Sequence, residues 1–170
     1  MAKLERKYLA HYLDAAFDMS YAETNYVRLG KDLEEFSVEL NPDVESSKNI
    51  LGENSVSHKG YEVSADADPF FYEADDALAK KVMDIAMGRK IGDECKTSYV
   101  EVVLKPGENG AAPTVESAWR EDVLVIPNSY GGDTSGVQVP FTVNYAGNRT
   151  EGTFDLNTKK FTPKAAAAAN

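Results

Sequence analysis

Two histidines, one cysteine and a run of carboxylates are the residues of this chain that could carry chemistry. His11 and His58 lie in different segments with no metal-ligand spacing, whereas a metal site needs three or four converging ligands. Exposed or core-edge positions are expected for both. Cys95 is the single cysteine, so neither an intrachain disulfide nor a cysteine-based zinc site can be built from it. It stands between Glu94 and Lys96 without a motif and reads as a small, partly buried structural residue. Asp66, Asp68, Asp75 and Asp76 form the one dense acidic cluster. Calcium takes several oxygen ligands, but EF-hand spacing is missing, and charges gathered at a helix start account for the cluster. Tyr130-Gly131-Gly132-Asp133 is no phosphate loop, because no Gly-Lys-Ser/Thr follows it. Asn148-Arg149-Thr150 has the spacing of a glycosylation acceptor, but residues 1–7 are charged and hold no apolar signal core. Catalysis needs convergent groups with tuned pKa values. The chain offers no such constellation, so no catalytic residue, cofactor or metal is expected.

The elements that could position these residues are those of one domain. At 170 residues and 42% hydrophobic composition, with nine Tyr, seven Phe and one Trp, the chain can bury a real core. Its formal net charge is −10. Tight DNA binding needs clustered Lys and Arg, and only the pairs Lys80-Lys81, Arg89-Lys90 and Lys159-Lys160 occur. Specific nucleic-acid binding is therefore not expected, while a surface past which DNA slides remains compatible. No apolar run approaches the ~20 residues of a membrane span, so no membrane anchor is expected. Synthesis and assembly in a cytoplasm follow as the expectation.

Along the chain, the apolar residues of 3–17 fit a helical stripe or a strand equally. Phe36, Val38 and Leu40 alternate with Ser37 and Glu39, which predicts a half-buried strand after a turn at Gly30-Lys31-Asp32. Asn41-Pro42 should end it, because Pro cannot donate to a ladder. A new alternation starts at Tyr61, Val63 and Ala65. Residues 69–88 give the best helix, with a stripe of Ala74, Ala77, Leu78, Val82, Ile85 and Ala86. Asp68-Pro69 is its expected cap and first turn, and Gly88 its stop. Strands are expected at 97–105 and 123–126, with loops at 106–113 and 128–136. Segments 137–145 and 150–156 read as a hairpin about Ala146-Gly147-Asn148, with a further turn at Asn157-Thr158 before Phe161. Strands, one helix, then strands predict a mainly β fold: an antiparallel β-sandwich or barrel with one flanking α-helix. Residues 1–164 form a single domain with an N-terminal arm, and 165–170 are expected to be a flexible tail.

The segment 42–59 departs from this pattern. It is rich in Ser, Asn, Glu and Lys, with the apolar pair Ile50-Leu51 before Gly52. Loops of this length are uncommon in compact domains, and ordering each residue costs roughly 1–2 kcal/mol of backbone entropy. The segment should stay mobile or be ordered by a partner.

The run 29–56, LGKDLEEFSVELNPDVESSKNILGENSV, resembles the major tail protein, or tail tube protein, of long-tailed phages of Gram-positive bacteria. Gly30-Lys31-Asp32, Glu39-Leu40-Asn41-Pro42 and Lys48-Asn49-Ile50-Leu51-Gly52-Glu53 carry the resemblance. Asp66-Ala67-Asp68-Pro69-Phe70 and the closing run GTFDLNTKKF at 152–161 are similar in kind. The resemblance implies a tail-tube-like fold and a structural subunit, not an enzyme. It implies stacked hexameric rings in helical assembly, forming the tail tube of a bacteriophage virion and a conduit for genome delivery. Double-stranded DNA would pass an acidic lumen without specific binding. Tape-measure and tail-terminator or baseplate proteins are the implied partners beside further copies of the chain. The long loop 42–59 maps to an inter-subunit contact, with Glu45, Lys48, Asn49, Ile50, Leu51, Glu53, His58 and Lys59 as its contact residues. The alternatives are the tube subunit of a phage-derived bacteriocin or contractile tail, and a β-sandwich module binding carbohydrate or protein.

Overall fold

The computed structural model describes residues 2–164. The expected tail at 165–170 lies outside the described residues. The fold is mainly β, with one α-helix.

Its first strand, β1 (Leu9–Asp14), settles the ambiguity of the N-terminal segment. Ala10, Tyr12, His11 and Leu13 are all buried, so both faces of β1 are covered. A lone amphipathic helix could not hide all of them; a central strand can. After β2 (Tyr26–Leu29) come β3 (Pro42–Lys48), β4 (Asn54–Tyr61), β5 (Ser64–Ala67) and α1 (Ala77–Gly88). Then follow β6 (Lys96–Lys105), β7 (Thr114–Pro127), β8 (Gly131–Asp133), β9 (Gly136–Gln138), β10 (Phe141–Asp155) and β11 (Lys160–Pro163).

Seven strands form one sheet in the order β11-β10-β7-β6-β1-β2, with β5 also paired to β10. Every pairing is antiparallel. β10 is long enough to take two neighbours on one edge: β5 at Phe141–Asn144 and β11 at Gly152–Asp155. A right-handed strand twist accumulates over such a sheet and curls it. The curl brings the Phe154 ring to 6.0 Å from Tyr26 at the far strand. This inner face packs Tyr12, Tyr26, Val100, Val102, Ala118 and Phe154. The other face packs Leu13, Tyr99, Val123, Val125, Phe141 and Val143 beneath Leu78, Ala79 and Val82 of α1. One curled sheet with a helix across its outer face is the barrel-like form of the expected architecture.

Several local expectations differ from the structure. The helix starts at Ala77, not at Pro69. Residues before it are held as an extended segment beside β9: the Tyr72 amide donates to Val137 O at 2.8 Å, and the Val139 amide to Phe70 O at 2.8 Å. The N-cap is Asp76, whose carboxylate accepts from the amides of Leu78 at 2.9 Å and Ala79 at 3.3 Å. Gly88 is the last helical residue, and Arg89 takes the left-handed cap conformation at φ 47°. Residues 36–40 make one bridge, Glu39 with Ser64, rather than a strand; Phe36 is buried but Leu40 is 52% exposed. The expected hairpin about 146–148 is a bulge inside β10, with register shifts between Tyr145 and Gly147 and between Gly147 and Thr150. Asn148 sits there at φ 56°, and its amide donates to Asp122 Oδ2 at 3.2 Å. The expected loop 128–136 contains β8 and leads into β9, a small hairpin of its own.

Candidate functional site

The segment expected to be a long loop is a β-hairpin. β3 and β4 pair from Pro42–Tyr61 down to Lys48–Asn54 and form a separate two-stranded sheet. Pro42 opens β3, where a missing donor is harmless. Between Asp43–Gly60 and Val44–His58 the register shifts by one residue, leaving Lys59 as the bulge. Lys59 forms an ion pair with Glu45. Both groups are exposed, so the pair adds little stability and chiefly ties the two strands at the bulge.

The tip is built around Asn49. Its Oδ1 accepts from the Leu51 amide at 2.9 Å and the Glu53 amide at 3.0 Å, and its Nδ2 donates to Glu53 Oε2 at 2.7 Å. The Gly52 amide returns to Asn49 O at 3.0 Å, with Gly52 in the left-handed region at φ 81°. A side-chain amide that imitates backbone in this way suits a tight turn. It also fixes Ile50 and Leu51 outward, at 102% and 76% exposure.

Side chains alternate across a hairpin. Pro42, Val44, Ser46 and Lys48 therefore share a face with Tyr61, His58, Val56 and Asn54. Glu45, Ser47, Ser55 and Ser57 occupy the other. The first face is the apolar one: the His58 ring meets the Tyr61 ring edge-on at 4.6 Å, and Val44, Val56 and Tyr61 are all more than half exposed. Glu45, Lys48, Asn49, Ile50, Leu51, Glu53, His58 and Lys59 are thus brought together on one projecting element and are all exposed. Val44, Val56 and Tyr61 complete its apolar face beyond the contact residues expected from the sequence. Each strand has a single valine set among serines and charged residues, which leaves no apolar alternation to read.

The other candidates are held by the body of the fold. His11 is buried, with its ring 4.7 Å from that of Phe36. Arg6 Nη2 donates to His11 Nε2 at 2.9 Å, because a guanidinium can only donate. His11 Nδ1–H is then the donor to Tyr99 Oη, and Tyr99 donates onward to Glu101 Oε2 at 3.3 Å. Burial, reinforced by the charges of Arg6 and Arg28, lowers the His11 pKa to about 4. Cys95 is buried, its thiol donating to Lys90 O at 3.3 Å, and burial raises its pKa. Asp66 accepts from Thr142 Oγ1 at 2.7 Å, while Asp76 is the helix cap. Asp66 and Asp68 line an open recess of about 240 Å³ with Glu35, Ser37 and Glu39. No group of three or more His, Cys, Asp or Glu among the described residues is placed to hold a metal ion. Arg149, in the Asn-x-Thr triplet, forms ion pairs with Glu101 and with Glu121, the latter at 3.0 Å. Among the described residues no helix is long and apolar enough to cross a membrane.

No protein-family model matches the chain. No curated protein matches it either. Among solved structures, the sheath/tube terminator of an extracellular contractile injection system, PVC, in its extended state is similar at 9% identity and a TM-score of 0.49. That match covers 90% of this chain and 99% of the other. A chain of the PVC sheath–tube complex in the extended state is similar at 9% identity and a TM-score of 0.45, covering 88% of this chain and 90% of the other.

Proposed function

We propose that this chain is a structural subunit that assembles with copies of itself into stacked hexameric rings, forming a tail tube through which double-stranded DNA passes without specific binding. The β3–β4 hairpin carries the reading. A two-stranded hairpin is at best marginally stable alone in water, and this one projects with an apolar face and an apolar tip that nothing in its own chain covers. Exposed apolar surface of that kind marks an interaction site. Docking on a neighbouring copy would bury it, with Glu45, Lys48, Asn49, Ile50, Leu51, Glu53, His58 and Lys59 as contacts. The net charge of −10 suits a conduit for DNA, since an acidic wall repels phosphate. The resemblance of residues 29–56 to tail tube proteins points the same way, and tape-measure and terminator proteins are the further partners it calls for. The bacteriocin or contractile-tail alternative uses the same hairpin and differs in cargo.

Electron microscopy and sedimentation of the purified chain over a range of concentrations test the proposal. Rings or hollow tubes are expected, and replacing 44–58 by a short glycine turn should abolish them while the body stays folded. A full-length chain that stays monomeric at high concentration would defeat the proposal.

A further inference from the structure

A hairpin that docks needs a surface to receive it. A groove of about 320 Å³ lies where the end of α1, the turn after it and the end of β7 meet. Its floor is apolar, from Ile85, Leu124 and Ile126, and Ile91 beside it is 80% exposed. Arg89 and Lys90 stand at its rim, and among the described residues neither forms an ion pair. The groove therefore presents apolar surface beside two cations that form no ion pair among the described residues.

The tip of the hairpin has the complementary character. Ile50 and Leu51 project from it, and the carboxylate of Glu53 is held beside them by Asn49 with no cation paired to it. We propose that the groove of one copy receives the Ile50-Leu51 tip of a second copy, with Glu53 facing Arg89 and Lys90. This rests on the reading of the chain as a self-assembling subunit. Tip and groove are different patches, so each copy gives one contact and takes one. Passed on in one direction from copy to copy, such a heterologous contact builds a ring or a helix.

Mixed-chain crosslinking tests the contact. One chain carries Cys95→Ser and Leu51→Cys; the other carries Cys95→Ser and Ile126→Cys. Mixed under mild oxidant, they should give a disulfide-linked heterodimer. Glu53→Lys in the first chain, or Arg89→Glu in the second, should lower the rate of capture several-fold, as rim charges do. The two charge reversals together should restore it, a result that a folding defect cannot produce. Filaments from the unmodified chain without any such crosslink would overturn the docking site and leave the assembly reading standing. Crosslinking indifferent to the charge reversals would also overturn the proposed pairing. An unmodified chain that remains monomeric would remove both proposals together.

Discussion

The Tyr12 ring lies against the Phe154 ring, centroids 4.6 Å apart and planes inclined at 42°. Tyr12 is on β1 and Phe154 on β10, with β6 and β7 between them in the sheet. The contact therefore exists only because the sheet curls, and it closes the inner core.

Removing that closure should be costly. Phe154→Ala is expected to destabilise the fold by about 3–5 kcal/mol, the range for a buried aromatic replaced by a methyl group. Urea unfolding followed by far-UV circular dichroism would show the lowered midpoint. A loss well under 1 kcal/mol would mean that the curled end opens and refills the space.

Asp76 has a smaller and more local role. Asp76→Ala removes both cap bonds and should lower stability by about 1 kcal/mol, while Asp76→Asn keeps an acceptor and should cost much less. Thermal melts of the two variants would separate the cases.

His11 gives the fold a pH dependence of known sign. Its folded pKa, about 4, lies below its ordinary value of 6.5, so the unfolded chain binds its proton first as pH falls. The stability tied to neutral His11 is complete above about pH 6.5 and is lost progressively down to about pH 4. A His11→Gln variant should lose that part of the slope between pH 4 and 6.5. Equilibrium unfolding at stepped pH measures it, and an unchanged slope would contradict the assignment.

The hairpin tip should matter to assembly and not to folding. Asn49→Ala removes the acceptor and donor that shape the turn, so amide hydrogen exchange should quicken from Lys48 to Asn54. Ile50→Ser with Leu51→Ser touches no core residue and should leave stability within about 0.5 kcal/mol. Both variants should lose filaments in electron micrographs while keeping the melting curve of the body.

Some of this was legible in the residues. Leu78, Val82 and Ile85 recur at the helical period and are all buried, with Leu78 and Val82 packed on the sheet. The strand that became β6 was equally plain as a run rich in Tyr, Val and Leu over 99–104. The start of β7 was not, because Arg120, Glu121 and Asp122 are charged and yet buried. Their partners are distant in sequence: Arg120 lies over the Tyr21 ring at 3.8 Å, Glu121 meets Arg149, and Asp122 accepts from Tyr21 Oη at 2.5 Å. No local pattern announces such pairs. Ala146-Gly147-Asn148 failed for the opposite reason: its turn residues were real but serve a bulge. The segment 42–59 stands out by its polarity, and one valine on each strand, Val44 and Val56, leaves no two-residue period to read.

The place of β1 in the sheet bears on how the chain is made. Leu9 pairs with Val103 and Leu13 with Tyr99, so an apolar strand that leaves the ribosome early has its main neighbour near position 100. At ~5–20 residues per second, that neighbour follows after roughly 5–20 s. During that interval β1 has only β2 to pair with, whereas β3 and β4 are adjacent and can meet within microseconds. Both strands of the projecting arm are thus made before most of the sheet that carries it, and the apolar side chains of β1 wait for β6 to be covered.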